Sequence, residues 1–187
     1  MCMWGDMRIA DGMPACSKKA LYACCMLAFV AGPVAAQRQL LPYRGDDPYA
    51  MPAILAPATK QAIVKNMLDY CSRVSAVSME NADKAIEAWQ LRNQTFVDAA
   101  ERLKGQLESK FVRSGEVSRK NWDQSFEMLE AMARVAADGP VRQFEAMTIR
   151  EYRDDMCAET LKSVDNGRFD MISADPGIVE RLRAVEP

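Results

Sequence analysis

Eight positions between Ala82 and Leu107 constrain the fold of this chain more than any others. Ala82, Ile86, Trp89, Asn93, Phe96, Ala100, Leu103 and Leu107 follow one another at alternating spacings of four and three. A helix returns residues at that spacing to one side, and a seam kept for over three heptads must pack along its length against other helices. The spacing predicts a helix over 78–111, about 50 Å long at 1.5 Å per residue. Ser78 is placed to cap its first turn toward Asn81. Trp122, Phe126, Leu129, Ala133 and Ala136 repeat the alternation and predict a second long helix after Ser118, beyond the turn Arg113-Ser114-Gly115-Glu116-Val117. Ile63, Met67, Tyr70 and Val74 predict a first helix over 58–74. Ile178, Leu182 and Val185 predict a short last helix after Asp175-Pro176, and Asn166-Gly167 is a C-terminal signal for the helical stretch before it. The fold class is all-α. Trp89 and Asn93 read as register-setting core, because a buried amide on an apolar seam needs a partner and so selects one packing.

The N-terminal region carries a different message. Lys18 and Lys19 precede an apolar run over 20–31, Gly32-Pro33 breaks it, and Val34-Ala35-Ala36 supplies small residues before Gln37. This is the pattern of a cleavable secretory signal, and a run of about 12 residues is well short of the roughly 20 that span a bilayer. The expectation is export to the periplasm, cleavage after Ala36 and no membrane insertion afterwards, with residues 1–12 an extension ahead of an alternative start at Met13. Pro42, Pro48, Pro52 and Pro57 predict an extended leader over 37–57 ahead of a single helical domain over 58–187.

Of six cysteines, Cys71 and Cys157 alone follow Gln37. An isolated pair in an exported protein predicts a disulfide. That bridge bears on topology at Gly139-Pro140. A full reversal there would set Cys157 level with about Glu108, roughly 40 Å from Cys71 along the bundle, whereas a kink leaves roughly 13 Å. A bridge needs Cα atoms within about 7 Å. The expected architecture is therefore a long antiparallel hairpin, 78–111 against 119–165, kinked at Gly139-Pro140, with the first helix alongside and stapled to its open end.

The sequence contains no histidine. That removes c-type haem attachment, His-dependent nucleophile pairs and the His-based zinc and di-iron sites. Charge is balanced, 24 Lys plus Arg against 26 Asp plus Glu, and interspersed, so no nucleic-acid footprint is present. No metal or cofactor is expected. Glu127 and Glu130 are three apart on one predicted helix and read as surface carboxylates rather than a catalytic pair facing a substrate. Met128 and Met132 read as gap-filling core.

Arg150, Tyr152, Arg153, Asp154 and Asp155 form a charge-dense run where the apolar stripe weakens. It is the candidate partner-binding patch, against a default of a solvated face laced with i,i+4 pairs. The expected function is a non-enzymatic protein-binding module, in concrete form an immunity or inhibitor protein acting on an envelope toxin or hydrolase. The alternatives are a chaperone-like or structural envelope factor, working as a homodimer, and an enzyme using carboxylates alone.

Overall fold

The computed structural model describes residues 47–186. The expected signal segment and the leader up to residue 46 lie outside the described residues. Five α-helices make up the described chain: α1 (Ala50–Val74), α2 (Met79–Arg113), α3 (Arg119–Glu145), α4 (Arg150–Asp165) and α5 (Pro176–Arg183), with a 3-10 turn at Met171–Ser173. The long helices begin where their caps predict. The Ser78 side chain accepts the Asn81 N–H, and Ser118 does the same for Asn121, each at 3.2 Å. Gly167, at φ +73°, ends the α4 segment. There the Arg168 N–H reaches back to the Ser163 carbonyl, a left-handed closure that glycine adopts without strain.

The first correction concerns the proline-rich leader. Its residues from Ala50 onward are helical, so α1 starts eight residues before the expected 58. Pro52 lies in the first turn, where a backbone N–H has no intrahelical partner to lose. Pro57 lies deeper, at a cost of roughly 3 kcal/mol for an interior proline. Burial of Met51 and Ile54, worth about 1.5–3 kcal/mol each, outweighs it. The start of α1 is also pinned from outside: Arg181 of α5 pairs with Asp47, and the Tyr49 ring lies directly over Gly177.

The second correction concerns the hairpin. Helix α3 continues through Gly139-Pro140 and ends at Glu145, so its arm is 119–145 rather than 119–165. Glycine before proline has no Cβ to clash with the ring, which removes much of the reason a helix stops there. Pro140 leaves the Ala136 carbonyl without a helical donor, and Ala136 is exposed, so water can serve it. The chain reverses later, across 146–149. Asn66 bonds Asp138 and Tyr70 packs on Phe144, so α1 and α3 run parallel. Cys71 meets Cys157 while Lys60 meets Phe169 and Asp170, so the α4 segment runs antiparallel to α1.

The reversal changes the role of α1. It is the hub of the bundle, in contact with α2, α3, α4 and α5, rather than a helix laid beside a hairpin. Val64, Met67, Leu68, Tyr70 and Cys71 supply its share of the core, against Trp89 of α2, Phe144 of α3 and Val164 of α4. Beyond α1, the far end of the α2–α3 pair keeps its own cluster. Leu103, Leu107, Trp122, Phe126 and Leu129 are buried there, and the Lys104 ammonium lies 4.8 Å over the Phe126 ring.

Candidate functional site

A connected cluster of buried polar groups around Asn93 serves the fold itself. Asn93 is fully enclosed at the middle of α2. Its amide donates to the Trp89 carbonyl at 2.7 Å and to Asp170 at 3.1 Å, and its side-chain oxygen accepts the Met171 N–H at 2.6 Å. Trp89 donates its indole N–H to the Phe169 carbonyl at 3.0 Å. Arg92 grips both oxygens of Asp170 and also bonds the Val164 carbonyl. From α1, Lys60 donates to the carbonyls of Phe169 and Asp170, and burial lowers its pKa below the usual 10.5 although Asp170 pulls the other way. This knot clamps the segment after α4 onto α1 and α2 through acceptors supplied by the chain itself. Cys71 and Cys157 are bridged with Cα atoms 5.3 Å apart and lie wholly inside the core.

The charge-dense run lies on the first turns of α4. Arg150 pairs with Asp154 at 3.5 Å, one helical turn on. Arg150, Glu151, Tyr152 and Asp155 are exposed, while Arg153 and Asp154 are half-buried. The Arg153 Nε and one Asp154 oxygen are shielded from solvent without a hydrogen bond. Tyr152 and Ile149 give this end of α4 a small apolar pair among charges. The carboxylates considered for chemistry do not face one another: Glu130 pairs with Lys104 at 3.6 Å, and Glu127 projects from the same helix into solvent. Among the described residues no three His, Cys, Asp or Glu side chains gather as a metal site would need.

One exposed apolar feature among the described residues is one that the sequence reading assigned to the core. Met128 and Met132 are 36% and 42% exposed, and Val135, a turn further along, is 62% exposed. They belong to a second seam on α3, Asn121, Ser125, Met128, Met132, Val135 and Gly139, again at spacings of four and three. At 100° per residue this seam is rotated about 100–140° from the buried one through Trp122, Phe126 and Leu129. Gln124, Ala131 and Ala136 flank it, so a face about 140° wide and about 28 Å long carries no charge. Between Arg119 and Gly139 the acidic and basic residues of α3, Glu127, Arg134 and Asp138 among them, are confined to the remaining arc, and Arg142 closes the C-terminal end of the face. An open depression lined by Asn121, Gln124, Ser125 and Met128 marks the N-terminal end of the face. A surface helix ordinarily turns charge to water, whereas this face turns Met128, Met132 and Val135 outward as a contiguous apolar stripe, the kind of surface that marks interaction sites. The signal was present in the sequence as a repeated 4-3 spacing free of Asp, Glu, Lys and Arg, hidden by reading both methionines as filler.

Comparison of the chain with protein-family models, with curated proteins and with solved structures found no match.

Proposed function

We propose that this chain is an exported, non-enzymatic protein-binding module of the periplasm, and that the uncharged face of α3 is its binding surface. The observation carrying this reading is the exposed stripe Met128, Met132 and Val135 on a helix whose buried seam, Trp122, Phe126 and Leu129, is already satisfied by the core. Methionine suits such a surface, because its flexible, polarizable side chain adapts to a partner's contour. The signal-like segment over 18–36 and the buried Cys71–Cys157 bridge support an oxidising compartment. The absence of histidine favours binding over most catalytic chemistries. An immunity or inhibitor role is the concrete form we favour, acting by occlusion with an apolar anchor and a polar rim.

The test is affinity capture from an envelope fraction by protein made from the full-length sequence, compared with its Val135→Glu variant. Val135 makes no core contribution, so the variant should fold normally and lose the captured protein. Capture that is unchanged by Val135→Glu would remove the α3 face from the account.

A further inference from the structure

We propose that the first two turns of α1 and the whole of α5 form a clasp that opens as one unit while the rest of the bundle stays folded, hinged at Pro57 on one side and at Ala174 on the other. The device involves neither the α3 face nor its partner. Neither half of the clasp is a self-sufficient helix. Residues 50–57 begin without a side-chain cap or an acidic residue in the first turn, and they contain Pro52 and Pro57. Pro57 has no N–H to offer the Ala53 carbonyl, so these turns are joined to the body of α1 by one helical bond fewer. Helix α5 has eight residues, below the roughly 12–15 at which an isolated helix holds in water. Asp175 caps it and Pro176 opens it, but its persistence depends on burying Val179 and Leu182.

Each half supplies what the other lacks. The Asp47 carboxylate accepts the Tyr49 N–H at the head of α1 with one oxygen and the Arg181 guanidinium of α5 with the other. The Tyr49 ring lies so close to Gly177 that a Cβ there would overlap it. Helix α5 rests on α1 and α2, and Met51 and Ile54 are buried along with Val179 and Leu182. The body behind the hinges has fastenings of its own. The Cys71–Cys157 bridge and the bonds of Asn93, Arg92 and Lys60 hold α1, α2 and the chain as far as Met171. Past that point the backbone is extended at Ala174, and α5 follows. Opening therefore uncovers Met51, Ile54, Val179 and Leu182 and leaves those fastenings made. Cooperative units of this kind open below the global unfolding free energy.

Hydrogen exchange of the unreduced protein made from the full-length sequence, followed amide by amide where the rate reports the opening equilibrium, tests the clasp. Amides 53–56 and 179–185 are expected to share one opening constant, roughly tenfold or more above that of amides 64–71 and 89–93. Leu182→Ala removes the deepest anchor of α5 and should raise the shared constant about 100-fold, in 53–56 as much as in 179–185. If that variant does not fold, Arg181→Ala cuts the link to Asp47 and should raise both segments together by about threefold. A rise confined to 179–185, with 53–56 unmoved, means that the two halves open separately and overturns the proposal. Wild-type exchange of both segments at the rate of 64–71 means that they open only with the whole bundle, and equally overturns it.

Discussion

The Asn93 side-chain oxygen accepts the Met171 backbone N–H at 2.6 Å, joining the middle of one helix to a turn 78 residues later in the chain. Both groups are buried, and the Asn93 amide is itself used twice, so one side chain sets where the segment after α4 comes to rest. Replacing it strands a buried donor, which costs more than the lost bond is worth. Asn93→Ala should lower the unfolding free energy by about 2–4 kcal/mol. Urea unfolding of the oxidised protein measures this. A loss below about 0.5 kcal/mol, the level of an ordinary surface change, would mean that Arg92, Trp89 and Lys60 hold the turn without Asn93.

The Cys71–Cys157 bridge closes a loop with a sequence separation of 86. In the chain-entropy account a loop of that size stabilises by up to about 4–5 kcal/mol. Cys71→Ala with Cys157→Ala should approach that loss and keep the helical circular dichroism at low temperature. The core around α1 has other anchors, so helicity should survive. Collapse of the helical signal would show that the bridge dictates the α4 reversal rather than securing it.

Lys60 gives the fold a pH dependence of definite sign. Burial lowers its folded pKa below 10.5, so the unfolded chain binds more protons between the two values. Stability therefore rises with pH through that window, because the folded state no longer bears the cost of a buried charge. Lys60→Met should flatten this rise relative to wild type. The bonds it removes are shared ones: the Phe169 carbonyl keeps the Trp89 indole and the Asp170 carbonyl keeps the Ser173 N–H. Unfolding free energies of both proteins from pH 7 to 10.5 provide the comparison, and parallel curves would contradict it.

How the sequence encodes the fold differs from element to element. Ser78 and Ser118 announce their helices because capping is local: hydroxyl, backbone N–H and spacing all lie within one turn. The Cys71–Cys157 pair was legible by elimination. The start of α1 was not, since Pro52 and Pro57 argue against a helix locally and only the burial of Met51 and Ile54 against distant elements outweighs them. The reversal at 146–149 was missed for the opposite reason. Met147-Thr148-Ile149 contains no glycine or proline, while Gly139-Pro140, which does, lies inside a helix that passes through it. Trp89 and Asn93 stood out on the seam, yet their partners Phe169, Asp170 and Met171 could not be foreseen, because they come from a segment placed by the α4 reversal. The α3 face was readable and was misread. A methionine at helical spacing has the same pattern whether its side of the helix is covered by its own chain or by another.

The most direct test of that face is a photo-crosslinking amino acid at Met132, placed in the full-length chain and activated in the intact envelope. Leu91, 80% exposed on α2, serves as the control position. The account predicts a discrete protein adduct from position 132 and none from position 91. Equal labelling at both positions, or no adduct from either, would contradict it.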